Sequence, residues 1–159
     1  MNRNKEKGKG FERVVAKDLS NVFNLSFTRT PNSGAYVGGM NKVRMKYLSD
    51  SQILLTEGDI IVPDELHHVK IECKFYKDLA FHQLFDENCK QLDVWLDQAK
   101  CDVKMWFLIF KINRRGAFVV YDSRYKFKHG NHCLYNNYIV TKYDNFFELN
   151  KQIIAAGNT

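Results

Sequence analysis

Two short β-branched runs most constrain what this chain can fold into: Gly58-Asp59-Ile60-Ile61-Val62-Pro63 and Val69-Lys70-Ile71-Glu72-Cys73-Lys74. Each is bounded by turn residues and reads as a strand. Between them Asp64-Glu65-Leu66-His67, opened by Pro63, reads as a four-residue hairpin loop. A symmetric loop sets Asp59 directly opposite Glu72, with Lys70 and Lys74 on the face of Glu72 and with Ile71 and Cys73 on the other. Carboxylates opposed across a ladder lie ~4.5–5.5 Å apart and destabilise it unless positive charge sits between them. A hard divalent cation with oxygen ligands and a nearby ammonium supplies that charge, which outlines a metal-dependent hydrolytic site. Lys70 and Lys74 on an ordinary solvent-facing strand surface are the other way to neutralise the pair.

At 159 residues the chain suits a single domain, 1–159, with an adequate core. A net charge of +6 favours an anionic partner, and for a soluble chain that means nucleic acid before a membrane. Cys73, Cys89, Cys101 and Cys133 form no CxxC pair, and no apolar signal segment opens the sequence. Reduced thiols in a soluble cytoplasmic protein follow as the expectation. The longest apolar run, Met105 to Phe110, is too short to span a bilayer.

In chain order, residues 1–9 read as a flexible basic N-terminus carrying Arg3, Lys5, Lys7 and Lys9. From Gly10 a helical stripe begins with Phe11, Val14, Val15, Leu19, Val22 and Phe23. Glu12 lies along its edge, where the helix meets its packing partner; the helix dipole also favours an acid there. Leu25 to Thr28 reads as a short strand. The loop from Arg29 through Thr30, Pro31, Asn32, Ser33 and Gly34 is rich in small and turn-forming residues, so its backbone can approach a phosphate and Arg29 can grip one. A basic stretch with Lys42, Arg44 and Lys46 follows, and Asp50 to Thr56 reads as a helical turn or a lead-in strand. Asp78 or Asp86 is positioned to cap a helix running to about Lys100. Val103 to Ile112 and Ala117 to Tyr121 read as an antiparallel pair joined at Asn113-Arg114-Arg115-Gly116. Alternating Arg124, Lys126 and Lys128 suggest a strand with a cationic face, Tyr138 to Thr141 a last strand, and Asp144 the cap of a final helix. His129, His132 and Cys133, with His67 or His68, are candidate zinc ligands whose spacing fits no common knuckle.

The order of these elements resembles the PD-(D/E)xK nuclease superfamily. Within it, the opening resembles the archaeal-type Holliday junction resolvases, through Lys9-Gly10-Phe11-Glu12-Arg13 (with two fewer residues between glycine and glutamate than theirs), the Arg29 to Gly34 loop, Gly58-Asp59-Ile60-Ile61 and Glu72-Cys73-Lys74. Two departures stand out: Gly58 replaces the usual proline, and residues 38–55 form a basic inserted loop. The resemblance implies an α/β (α+β mixed sheet) fold with a restriction-endonuclease-like core, a central mixed β-sheet flanked by helices. It implies Mg²⁺, with Mn²⁺ able to substitute, held by Asp59, Glu72 and the backbone carbonyl of Cys73. Glu12 would complete the site through a water and Lys74 would orient the attacking water. Arg29, Thr30, Ser33, Lys42, Arg44 and Lys46 would contact DNA. The implied activity is DNA endonucleolytic hydrolysis, most specifically of four-way junctions by a homodimer. A restriction-like or repair endonuclease and a non-catalytic DNA-binding module are the alternatives.

Overall fold

The sheet grows outward from its most apolar strand. In the computed structural model, which describes residues 2–31 and 58–157, Met105–Ile112 forms β4, buried at every position except Lys111. A strand covered on both faces needs such a continuous apolar run. On one side of β4 lies β3 (Val69–Tyr76), parallel to it, with Glu72 level with Leu108. On the other side β5 (Gly116–Asp122) returns antiparallel, followed by β7 (Tyr138–Lys142) and β6 (His132–Tyr135). The sheet order is therefore β3-β4-β5-β7-β6, with β3 at one edge. A separate antiparallel pair joins β1 (Thr28–Arg29) to β2 (Ile60–Ile61), with Arg29 opposite Ile60.

Helices cover both faces. On one, α1 (Arg3–Phe23) and α4 (Phe146–Ala156) bury Phe11, Val15, Leu19, Phe146 and Ile154 against Ile71, Phe107 and Ile109. On the other, α3 (Lys90–Ala99) buries Leu92, Trp95 and Leu96 against Trp106, Leu108 and Phe110. The short α2 (His82–Phe85) and α3 lie in the crossover that a parallel β3–β4 connection demands. This is the mixed, helix-flanked α+β sheet expected from the sequence. Among the described residues no helix is long and apolar enough to cross a membrane.

Several boundaries differ from expectation, each for a local reason. Residues 3–9 are the first two turns of α1 rather than a flexible arm, with the Asn2 side chain accepting the Asn4 N–H at 3.2 Å. The short strand expected at 25–28 falls at Thr28–Arg29, where β2 offers a partner. Neither Asp78 nor Asp86 caps a long helix: Asp78 accepts the Leu79 N–H, Asp86 ends α2, and α3 starts only at Lys90. The β4 strand starts at Met105, two residues after Val103, which is 84% exposed. No strand forms at 124–128, because Asn150 of α4 takes the Lys128 N–H and donates to its carbonyl, claiming that backbone for itself. Asn145, not Asp144, precedes α4. The His129 and His132 rings lie 4.2 Å apart, yet both Nδ1 atoms face the Gly130 carbonyl and His68 bonds the Ile154 carbonyl. Among the described residues no zinc ligand set assembles there. The expected 38–55 insertion and the Asp50 to Thr56 element lie outside the described residues.

Candidate active site

Three elements meet at the free edge of β3. Val15, Ala16 and Leu19 bury one face of α1, which carries Glu12 to the margin of that face. Asp59, buried, stands just before β2, and Glu72 and Lys74 project from β3. The Asp59 N–H donates to the Ile71 carbonyl at 2.9 Å, and the Cys73 N–H donates to Asp59 Oδ2 at 2.8 Å. The Asp59 carboxylate is thereby fixed against the β3 backbone.

The expected register, with Asp59 opposite Glu72 in a symmetric hairpin, is not what forms. β2 pairs with β1, and among the described residues no ladder joins β2 to β3. Pro63 lacks an N–H to extend one, and Asp64–Leu66 coils into a 3₁₀ turn that buries Leu66. The Asp59–Ile71 bond and the Asp59 side chain bridge the gap. The alternation along β3 is as expected, with Ile71 and Cys73 in the α1 core and Lys70 on the α3 face, donating to the Gln98 carbonyl at 2.8 Å. In an extended strand a residue's N–H and C=O point to the same side. The Cys73 carbonyl is therefore turned to the edge that Asp59 occupies, away from β4.

Charge in the site is arranged in pairs. Lys74 Nζ donates to Glu72 Oε1 at 2.8 Å, and the Arg29 guanidinium donates to the Glu12 carboxylate. Burial and the Asp59 charge push Glu72 up to about 7, although Lys74 pulls the other way. Burial, then Asp59, likewise raises Glu12 against the opposing Arg29. Burial alone would lower Lys74, but the Glu72 charge and hydrogen bond, with Asp59 behind them, leave it above the usual lysine value. Asp59 thus repels both Glu72 and Glu12, and the Asp59–Glu72 repulsion expected from the sequence is present without direct cross-strand opposition.

Arg29 and Thr30 sit differently from the expected phosphate contacts. Arg29 Nε donates to the Glu12 carboxylate, and Thr30 is 1% exposed, with its hydroxyl unpartnered among the described residues. The Thr30 N–H instead donates to the Asp59 carbonyl at 2.9 Å, clamping the backbone of the Asp59 turn. The sequence reading missed this bracing role, which residue type alone does not signal. Ser33, Lys42, Arg44 and Lys46 lie outside the described residues.

Among the described residues no three His, Cys, Asp or Glu side chains are already gathered as a cage, because each acid is held by its own partner. The available groups are hard oxygens: three carboxylates whose charges repel and one edge-directed carbonyl. That set suits a hard divalent ion and no soft one.

A metal-free stability test follows. A carboxylate whose folded pKa is raised stabilises the fold only while protonated, so its contribution falls as pH rises from about 4.5 through about 7. The asparagine of Asp59→Asn keeps an acceptor for the Cys73 N–H and removes the repulsion. Its melting temperature in EDTA should exceed the parent's, by a margin that widens from pH 5 to pH 8. An equal or lower value at pH 8 refutes carboxylate crowding.

A mixed sheet whose edge strand carries Glu-x-Lys beside an aspartate from the preceding segment defines a nuclease of the PD-(D/E)xK class. The chain belongs to the family described as Phage putative PDDEXK endonuclease, whose model matches residues 3–155. No curated protein and no solved structure matches it. The family match reaches the superfamily, not the archaeal-type resolvases within it.

Proposed function

We propose that this endonuclease hydrolyses DNA phosphodiesters with Mg²⁺ and prefers branched DNA, four-way junctions above all. The observation that carries the reading is the meeting of Glu12, Asp59, Glu72 and Lys74, from three elements, at one sheet edge. Asp59, Glu72 and the Cys73 carbonyl would hold the ion, with Glu12 acting through a water. When bound, the ion supplies Lewis-acid polarisation of the phosphate and activation of the nucleophile. Lys74, kept protonated by Glu72, holds a compact positive charge where the phosphate arrives and orients the attacking water. Arg29 balances Glu12 so that the α1 carboxylate can stay half-buried beside the other acids. Ser33, Lys42, Arg44 and Lys46 are proposed DNA contacts.

The junction preference rests on the resolvase-like motifs, and with it goes a two-fold homodimer, since a four-way junction presents two symmetric cuts. Cleavage of junction, flap, mismatch and linear DNA side by side, with Mg²⁺ and with EDTA, tests all of this. Paired symmetric cuts in the junction, abolished by EDTA, are the expected result. Cutting of linear duplex at one sequence without junction preference replaces the reading with a restriction-like enzyme. No cleavage of any substrate leaves a DNA-binding module.

A further inference from the structure

Beside the active site the C-terminal end of β3 opens into a groove of about 610 Å³ between α1 and the β4–β5 turn. Its walls include Lys74 on one side, Asn4 and Lys7 from the first turns of α1 on another, and Tyr76, Lys77 and Asn113 at the far end. A second groove of about 560 Å³ adjoins it, sharing Lys77 and Asn113 and continuing along Arg114 and Arg115. The Asn113 N–H donates to the Tyr76 carbonyl at 3.0 Å, so the turn is fastened to the strand that carries Lys74. Lys7, Lys77, Arg114 and Arg115 are all exposed, and among the described residues none of the four has a carboxylate partner. The single acid lining the second groove, Asp78, accepts its neighbour's N–H at 2.9 Å.

From Lys74 to Tyr76, the end of β3, and one residue on to Lys77, the chain advances at most roughly 10 Å, about three base-pair steps along one DNA strand. Arg114 holds a left-handed backbone (φ 61°) at the tip of a turn closed by the Arg115 N–H on the Ile112 carbonyl at 3.0 Å. Glycine or asparagine would occupy that conformation with less strain, yet the tip carries two guanidiniums.

We propose that this track seats the DNA backbone on one side of the scissile phosphate, with Lys7, Lys77, Arg114 and Arg115 each facing a phosphate. The inference rests on the nuclease reading, because it takes Lys74 as the point from which the track departs.

Fluorescence anisotropy with a labelled 30-base-pair duplex in EDTA, across a salt series, measures binding without cleavage. The triple variant Lys77→Ala/Arg114→Ala/Arg115→Ala is expected to bind about 10- to 100-fold more weakly at moderate salt, with a log–log salt slope shallower by about 2–3 units. The control Lys17→Ala/Lys151→Ala, on α1 and α4 away from the grooves, should bind like the parent. Charge reversal in Lys77→Glu gives a single-site check, and melting curves show which variants are folded. Folded variants with the parent's affinity and slope overturn the track even if the parent cleaves DNA normally. Weakened binding together with a parent that never cleaves keeps the track and removes the nuclease reading instead.

Discussion

Lys74→Ala is expected to lower DNA cleavage assayed in Mg²⁺ by about 10²–10³-fold, the typical cost of deleting one charge-stabilising group from an active site. Duplex affinity measured in EDTA should change by less than a few-fold, because one ammonium among many cations contributes little to overall phosphate binding. Lys74→Arg should not restore the rate. The lysine sits 2.8 Å from Glu72 in a mostly buried space, and a planar guanidinium fork does not substitute for a compact ammonium there. Single-turnover cleavage and anisotropy on the same preparations separate the two effects. If affinity falls as far as rate, Lys74 is a phosphate contact and nothing more.

The second large effect belongs to a residue that carries no chemistry. Gly58 adopts φ 81°, and a Cβ there would stand 2.6 Å from the Ile71 carbonyl oxygen. That oxygen is the one to which the Asp59 N–H donates, so the backbone cannot move aside without releasing Asp59. Gly58→Ala combines left-handed strain with a backbone clash and should cost about 3 kcal/mol or more. For a domain of this size that is a fall of roughly 6–12 °C in melting temperature. Gly58→Pro is expected to be worse, since proline is locked near φ −65°. Thermal melts together with a cleavage assay test this, and a Gly58→Ala protein with parental stability and rate contradicts it.

Before Asp59 the chain turns through a conformation that only glycine enters readily. The sequence displays the glycine; the reason for it is tertiary, because it lies in the approach of residue 58 to the backbone of β3.

Much of the remainder was legible. Period-two alternation identified β3 and assigned Glu72, Lys70 and Lys74 to the face away from Ile71 and Cys73. The unbroken apolar run identified β4 as a buried strand, and the three-and-four spacing of Phe11, Val15 and Leu19 placed Glu12 at the edge of a packed helix face. Local patterning records which side of an element is buried, so these assignments needed no partner. The charge crowding on Glu72 was expected from a cross-strand register that does not form; it arises because the Asp59 carboxylate is held by the Cys73 N–H, one residue from Glu72.

Strand partners and side-chain pairings were not legible in the same way. β2 turned to β1 instead of β3 because a proline, a 3₁₀ turn and the buried Leu66 ended the hairpin, an outcome decided by packing many residues away. Arg29 looks like a free phosphate ligand in sequence and becomes the counter-charge of Glu12 only when α1 and β1 are brought together. Lys77 and the Arg114–Arg115 turn, unremarkable in separate segments, form one basic track once Tyr76 bonds Asn113. The sequence by itself determined which residues are apolar, which are charged and which face of each element they share. Tertiary structure alone decided which charges meet, because Coulomb interactions and hydrogen bonds depend on distances that chain order does not set.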